Sequence, residues 1–196
     1  IASSTSGFKP SELQDTATRP AQIVVCHPFN PVYLLPLIEV VGTDANADML
    51  SHVEDTLRGV GMFPLMVKKE IDAHIADRFL EAVWREALWL IKDGVATTGQ
   101  IDDIITHSFG LRWAQKGLFE TYRVAGGQAG MKHFLEQFGP CLEWPWTKLM
   151  DVPELTEELI DMVAGQSDAQ SGKYTIRELE RARDDNLVTI LRGLKA

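Results

Sequence analysis

The stretch V-V-C-H-P-F-N-P-V-Y-L-L-P-L-I-E-V-V, residues 24 to 41, decides how the amino-terminal part of the chain is interpreted. It contains two short β-branched runs, separated by a segment that is rich in proline. Because proline removes a backbone donor and fixes φ, we expect the first strand to end at Cys26 and a loop to follow. The stretch therefore predicts two strands joined by a loop, with His27 where the loop begins and Glu39 within the second strand.

The composition of the chain is that of an ordinary globular protein with an acidic balance. Of its 196 residues, 45% are hydrophobic and 24% are charged, and the formal net charge is −9. This balance leaves no basic stripe to neutralise nucleic-acid phosphates. Cys26 and Cys141 give neither a metal-binding spacing nor a disulfide framework, which favours a reducing cytoplasm. No apolar run has the length that a bilayer requires, so we expect no nucleic-acid, membrane or metal partner.

Short β-branched runs alternate with helical patterns over the first third of the chain, and only helical patterns follow. The composition shift near Lys69 therefore predicts an α/β domain, residues 1–69, and an all-helical domain, residues 70–196. The polar stretch 165–172 is predicted to be a loop. The predicted strands are 22–26, 37–42 and 63–68, and the predicted helices are 10–17, 45–59, 71–94, 99–108, 111–125, 127–138, 153–164 and 175–194.

The longest helical pattern runs from Ile71 to a stop at Gly94. Its apolar positions follow a spacing of 3.6 residues, and Trp84 and Trp89 widen the apolar surface beyond one stripe. A helix that is buried on more than one side favours packing against a second copy of the chain. We therefore expect a homodimer formed through the helical domain, with His74 and other polar residues of this helix on a solvated or interface face.

His27 and Glu39 are the leading candidates for chemistry. A histidine can take a proton from an alcohol, and a carboxylate on its other ring nitrogen orients the ring and stabilises the imidazolium. Glu39 interrupts the apolar run L-I-E-V-V, where an unpaired buried carboxylate would be costly. The pattern is also compatible with a core histidine that binds a backbone carbonyl, next to an unrelated surface glutamate.

Four further residues are candidates for the lining of a site. Ser6 belongs to the hydroxyl-rich stretch S-S-T-S-G, which either binds loop backbone groups or lies where ligands bind at strand ends. Asn30 is either a turn residue or a hydrogen-bond donor into the site. Asp77 either belongs to the solvated helix face or points back at the site. Arg112 is either a clamp for a substrate carboxylate or a surface arginine.

Four motifs, in order, resemble those of the 3-hydroxyacyl-CoA dehydrogenase superfamily. I-A-S-S-T-S-G at residues 1–7 resembles A-S-N-T-S-S, and C-H-P-F-N-P-V at 26–32 resembles H-F-F-N-P-V. L-P-L-I-E-V at 35–40 resembles M-K-L-V-E-V, and K-E-I-D-A-H-I-A-D-R-F at 69–79 resembles K-D-x-x-G-F-I-x-N-R-L. The resemblance extends to about residue 125 and more faintly beyond, and the ordered series is far more specific than any single motif.

The resemblance implies a fold, a cofactor and roles for residues. The first domain would comprise the later strands of a Rossmann NAD-binding domain, and members of the superfamily commonly pair through the helical domain that follows. His27 would be the general base, Glu39 its orienting partner, and Ser6 and Asn30 would line the site. This sequence contains no G-x-G-x-x-G motif, so we expect the glycine-rich first half of the NAD domain to precede it. The chain alone is then expected to bind NAD poorly and to be inactive.

Within the superfamily, the stretch F-G-L-R-W-A-Q-K-G-L-F-E-T at 109–121 and the motif around His27 are most similar to the branch that oxidises the 3-hydroxyl of L-carnitine to 3-dehydrocarnitine. The resemblance also leaves open a 3-hydroxyacyl-CoA dehydrogenase and a dehydrogenase of other hydroxy acids such as gulonate. A further alternative is a non-catalytic dimerisation module, as in lens crystallins recruited from the superfamily. The intact pair of His27 and Glu39 speaks against that module.

The chain departs from the family motifs at Ser4 and at Asp77, where the family has asparagine in both cases. Ser4 is the one residue of the chain that the resemblance associates with cofactor binding. An aspartate at position 77 replaces a neutral donor and acceptor with a negatively charged acceptor. That change is awkward beside a thioester, and it favours a cationic substrate.

Overall fold

The structure is a computed structural model that describes residues 1–143, 146–148, 154 and 156–194. The chain divides into two compact units, Ile1–Glu81 and Ala82–Ala196. The first unit contains all the strands of the described residues, and the second consists of helices and their connections. The predicted fold class, an α/β portion followed by an all-helical portion, is confirmed.

The first unit is built on a sheet of four strands. They are β1 (Ala2–Ser3), β2 (Val24–Pro28), β3 (Leu37–Val41) and β4 (Phe63–Val67), and they lie side by side in chain order. β1 runs parallel to β2, and β3 runs parallel to β4, whereas β2 and β3 are antiparallel. The sheet is therefore mixed, and the reversal of direction lies between the two strands of the stretch quoted first.

Helix α2 (Ala47–Gly59) covers one face of this sheet. A 3₁₀ turn precedes it, and the hydroxyl of Thr43 caps that turn by accepting the amide N–H of Ala45 at 3.3 Å. Alternate residues of β2 and β3 point toward α2 and form the apolar core of the unit. This core contains Val24, Cys26, Ile38 and Val40, with Leu50, Val53, Leu57, Met62 and Met66 packed against them.

Strand β2 extends two residues further than predicted, because it includes His27 and Pro28. β1 ends opposite Val25, so the end of β2 has a strand neighbour on one side only. Proline is tolerated where a strand has only one neighbour, because the N–H that proline lacks can there point away from the sheet and needs no carbonyl partner. His27 is consequently a strand residue with a fixed direction, and it does not lie in the following loop.

The longest predicted helix begins later than the pattern indicated. Helix α3 spans Ala76–Lys92, and the residues before it form turns in which Ala73 and His74 have positive φ values of 57° and 52°. The predicted helix start at Ile71 was wrong, because the spacing of apolar residues does not reveal where the backbone becomes left-handed. The predicted stop is confirmed, since α3 ends at Lys92 and Gly94, two residues later, has φ +69°.

The remaining helices agree with the predictions except at particular ends. Helix α1 spans only Pro10–Gln14, and α5 (Phe109–Ala125) is interrupted at Gly117, which has φ +67°. The predicted loop at 165–172 was wrong, since α7 (Glu157–Ser171) runs through it; a single glycine and serines cost too little to stop a formed helix. The start predicted at 153 lies outside the described residues. The other helices are α4 (Thr98–His107), α6 (Gly130–Phe138) and α8 (Ile176–Leu194).

No helix among the described residues combines the length and the apolar character that crossing a membrane requires.

Candidate active site

His27 and Glu39 face each other across the antiparallel pairing of β2 and β3. They are direct register partners, and their side chains lie on the face of the sheet opposite the core, because side chains alternate between faces along a strand. His27 Nδ1 lies 3.0 Å from Glu39 Oε2. His27 is 6% exposed and Glu39 is fully buried, so the structure brings these two predicted residues together in a buried contact.

The second oxygen of Glu39 binds the beginning of helix α3. The backbone N–H groups of Ile75 and Ala76 donate to Glu39 Oε1 at 2.9 and 3.1 Å. These amides belong to the end of a helix where donors lack partners inside the helix and where a negative charge is favoured. Glu39 therefore accepts three hydrogen bonds, which compensates for the burial of its carboxylate.

This arrangement fixes the protonation pattern of the His27 ring. Because the carboxylate of Glu39 can only accept, the Nδ1 atom of His27 carries the hydrogen, and Nε2 presents a lone pair. Nε2 lies 3.8 Å from Oδ2 of Asp77, which belongs to the first turn of α3 and has a side chain that is 25% exposed. Asp77 thus lies beside the free nitrogen of His27, and not on a remote solvated face.

His74 also belongs to this cluster, although we predicted it on a solvated or interface helix face. It is fully buried, and its ring centroid lies 5.4 Å from that of His27. Its Nε2 lies 3.3 Å from the carbonyl oxygen of Thr5, so it donates weakly to the loop that follows β1. Among the residues that the structure describes, its Nδ1 atom has no hydrogen-bond partner. The prediction was wrong because His74 precedes the helix.

One signal in the sequence could have identified His74. The family motif at residues 69–79 has Gly-Phe where this chain has Ala73 and His74. A glycine at the first position fits the left-handed backbone observed there, and a phenylalanine at the second fits full burial. An imidazole in place of that phenylalanine introduces polar atoms into a buried position next to His27.

The other predicted residues of the first unit lie in exposed segments at one edge of the sheet. Ser4 and Ser6 belong to the exposed loop that follows β1, and Asn30 to the turn after β2, just before a cis peptide bond to Pro31. β1 and β2 are parallel neighbours, so their carboxyl ends, and the residues that follow them, share one edge. That edge is where ligands bind in open α/β sheets.

Arg112 lies in the second unit, on helix α5. It lines a shallow cavity together with Gln115, Lys116, Thr121 and Val124. Its function as a clamp for a substrate carboxylate stays a prediction, as do the roles predicted for Ser4, Ser6 and Asn30.

The segment that leads into α3 is connected to helix α1 by two polar contacts. Lys9 Nζ lies 3.0 Å from Asp72 Oδ1, and the Ser11 N–H donates to Glu70 Oε2 at 3.0 Å. The hydrogen bond and charge of Asp72 raise the pKa of Lys9, and the same hydrogen bond and charge lower the pKa of Asp72. These contacts hold the turn that carries Ala73 and His74.

Two other features concern the reactivity of the site. Burial raises the pKa of the thiol of Cys26, which precedes His27 in the sequence but faces the apolar core on the other side of the sheet, so this residue is a poor nucleophile. Within the part of the chain that the structure describes, no group of three His, Cys, Asp or Glu side chains has an arrangement that could hold a metal ion.

Comparison with known families agrees with this fold. Residues 1–71 match the NAD-binding domain of 3-hydroxyacyl-CoA dehydrogenase, and residues 74–168 match its C-terminal domain. The chain therefore belongs to the 3-hydroxyacyl-CoA dehydrogenase family, as its motifs predicted. The similar proteins with curated names define a narrower group within the family.

Several of these relatives are named L-carnitine dehydrogenase. A Ruegeria pomeroyi protein named L-carnitine dehydrogenase/betainyl-CoA thioesterase is 73% identical over the whole chain, which covers 40% of that protein. The L-carnitine dehydrogenases of Mesorhizobium japonicum and Pseudomonas putida are 57% and 52% identical, and the chain covers 54% and 61% of their lengths. The predicted similarity to the carnitine branch is confirmed, and the chain spans about half the length of these relatives.

Two solved structures share the fold. The first is 5-formyl-3-hydroxy-2-methylpyridine 4-carboxylic acid 5-dehydrogenase, described as an NAD⁺-dependent dismutase. It matches the whole chain with a TM-score of 0.80 and 25% identity, and the match covers 64% of that protein. The second is a 3-hydroxyacyl-CoA dehydrogenase from Archaeoglobus fulgidus, which matches 98% of the chain and 67% of its own length with a TM-score of 0.56 and 20% identity.

Proposed function

We propose that the full-length protein is an NAD-dependent dehydrogenase that oxidises the 3-hydroxyl of L-carnitine to 3-dehydrocarnitine. The observation that carries this proposal is the buried 3.0 Å contact between His27 Nδ1 and Glu39, which leaves Nε2 as a free base. The names of the relatives supply the substrate, and the match to the NAD-binding domain supplies the cofactor.

His27 is the general base of the proposed reaction. The substrate hydroxyl donates to Nε2, and its proton moves to this nitrogen as the carbon is oxidised. Glu39 holds the ring through Nδ1 and stabilises the positive charge that the ring acquires. Because α3 donates two amides to the same carboxylate, Glu39 keeps its position while the charge on His27 changes.

The residues at the sheet edge fit the reactive end of a dinucleotide. Hydroxyl groups of the exposed loop after β1 stand at the carboxyl end of a parallel strand, and His74 connects this loop to the surroundings of His27. Ser4 is the residue that we assign to cofactor contact, and Ser6 and Asn30 are assigned to the substrate. When bound, NAD⁺ supplies the acceptor for the hydride that leaves the substrate carbon. The phosphate-binding glycine motif is not part of this sequence.

The charge of the site supports a cationic substrate. Asp77 adds a carboxylate beside His27 Nε2, where the family motif has a neutral asparagine. L-carnitine carries a trimethylammonium group close to its hydroxyl, so a negative charge near the base is compatible with it. Arg112 is assigned to the substrate carboxylate, since its fork matches a carboxylate in two hydrogen bonds.

The test uses the protein expressed from its complete coding sequence. NADH formation is followed at alkaline pH with L-carnitine, 3-hydroxybutyrate, L-gulonate and 3-hydroxybutyryl-CoA. We expect turnover of L-carnitine, and we expect kcat to fall by about 10²–10⁴-fold in His27→Ala. The exposed His107 on α4 supplies the matched control, because His107→Ala removes an imidazole far along the chain and should leave kcat unchanged.

Turnover of the thioester or of gulonate in place of L-carnitine would retain His27 as the base and reject the substrate. Turnover that survives His27→Ala would reject the base. A protein that turns over none of the four compounds would contradict the proposed function as a whole.

A homodimer and a cytoplasmic location complete the proposal. Phe79, Leu80, Val83 and Trp84 are exposed and share one side of α3, which supports pairing with a second copy through an apolar helix face. The two free cysteines are compatible with a reducing compartment. Residues 1–69 and 70–196 remain the domains that we propose, with the boundary just before α3. Sedimentation of the full-length protein tests the dimer, and a monomer at micromolar concentration would refute it.

A further inference from the structure

A base that accepts a proton at every turnover must also release it. His27 is 6% exposed, so bulk water has little direct access to its ring. Its Nδ1 atom already donates to Glu39, and that carboxylate is fully buried and occupied by two backbone amides. A proton taken up at Nε2 therefore has no path to solvent through the Glu39 side of the ring.

The aromatic neighbours of His27 do not provide a path either. Phe29, whose ring centroid is 4.9 Å away, has no group that can carry a proton. His74 is fully buried, and its Nε2 already donates to the carbonyl oxygen of Thr5. A proton moved from His27 onto His74 would only shift the positive charge to a fully buried ring that has no carboxylate partner among the described residues.

Asp77 has the properties that these neighbours lack. Its Oδ2 lies 3.8 Å from His27 Nε2, and its side chain is 25% exposed, so it reaches both the nitrogen and the solvent. A movement of about 1 Å brings the two atoms to the length of a charge-assisted hydrogen bond. A carboxylate can accept a proton and release it again, whereas the asparagine of the family motif cannot.

From this geometry we infer that Asp77 carries the proton from His27 to solvent after each oxidation. The inference rests on the proposed role of His27 as the base. The Nε2–H bond of the imidazolium breaks as an O–H bond forms on Asp77, and the proton then passes to water or to a buffer base. Both residues return to their starting charge, and the site is ready for the next substrate hydroxyl. Asp77 thereby acts as a proton relay in addition to contributing negative charge.

The first test compares Asp77→Asn with wild type in the full-length protein. The substitution keeps the size of the side chain and introduces the residue that the family motif has, so we expect it to fold. At low buffer concentration we expect kcat to fall by at least about tenfold. Added imidazole, a small proton acceptor, should restore kcat without changing KM. Asp55→Asn, on an exposed position of α2, removes one negative charge elsewhere and should behave as wild type.

A second measurement needs no substrate and no cofactor. In protein with ¹⁵N-labelled histidine, NMR follows the exchange with water of the His27 Nε2 proton in the imidazolium form. We expect this exchange to be at least about tenfold slower in Asp77→Asn than in wild type or in Asp55→Asn. This result would support the relay even if L-carnitine proved to be the wrong substrate.

Two results would overturn the relay. Equal exchange rates in the three proteins would show that the proton reaches solvent without Asp77. A rise in KM for L-carnitine, with kcat independent of buffer, would assign Asp77 to binding of the trimethylammonium group alone. Neither result would affect the assignment of His27, which His27→Ala tests separately.

Discussion

Glu39 binds His27 through one carboxylate oxygen and the beginning of helix α3 through the other. The first contact is 3.0 Å long, and the second consists of two backbone hydrogen bonds from Ile75 and Ala76. One side chain therefore orients the base and also holds the helix whose first turn carries Asp77. A change at Glu39 should consequently reduce both the activity and the stability of the protein.

Glu39→Gln tests this double role. The amide retains the shape of the side chain, but its NH₂ group must face either the His27 ring or the backbone donors of α3. We expect a loss of about 1–3 kcal/mol in the free energy of unfolding and a fall in kcat, measured by urea denaturation and by NADH formation. Glu120→Gln, at an exposed position of α5, is the control. A Glu39→Gln protein with wild-type stability would show that the contacts of Glu39 with His27 and with α3 do not stabilise the fold.

Ala73→Gly should stabilise the protein. Ala73 has φ +57°, a left-handed conformation that costs an L-residue about 1–2 kcal/mol. Glycine removes this strain and adds an entropic cost of about 0.5–1 kcal/mol, so we expect a net gain of about 0.5–1 kcal/mol. Within a regular helix the same substitution should destabilise the protein. Ala87→Gly in α3 should therefore lower the free energy of unfolding by about 1 kcal/mol. If both variants lose stability in urea denaturation, the turn before α3 is not strained at Ala73.

The ion pair between Lys9 and Asp72 predicts a defined pH dependence. The pKa of Asp72 is lowered from its ordinary value of 3.8, so its contribution is present above that pH and is lost as pH falls through the lower folded value. The pKa of Lys9 is raised from 10.5, so its contribution is present below that pH and is lost as pH rises through the higher folded value. Asp72→Asn should therefore lower the urea midpoint at neutral pH.

A double-mutant cycle with Lys9→Met measures the coupling free energy between Lys9 and Asp72. The cycle separates this coupling from the other effects of each substitution. Both groups are at the surface, so we expect the coupling to be small and to weaken in high salt. It should vanish in acid once Asp72 is protonated. A coupling that persists in acid would exclude this pair as its source.

The sequence predicted those features that depend on local composition. The β-branched runs located the three longer strands, and the place of Glu39 inside L-I-E-V-V favoured a buried carboxylate over the surface glutamate that the pattern also allowed. The cost of an unpaired carboxylate then predicted a partner for it, and His27 is that partner in the structure. Two alternating strands joined by a loop also predicted that the pair could meet, although not which residues would be in register.

Features that depend on tertiary structure were not predictable in this way. The apolar spacing of α3 continues upstream to Ile71, and periodicity does not reveal where the backbone turns left-handed. His74 was therefore assigned to a helix face, although it is buried beside His27. The helical conformation of residues 165–171 was missed for a related reason, because weak helix formers follow the conformation of their neighbours once a helix has formed.

The direct pairing of His27 with Glu39 also determines which changes in chain length this protein can accept during evolution. A single inserted or deleted residue within β2 or β3 would shift one strand by one position and send its functional side chain into the core. The eight residues between the strands, from Phe29 to Pro36, are not subject to that restriction. Related proteins should therefore differ in the length of this connection and keep both strands free of gaps.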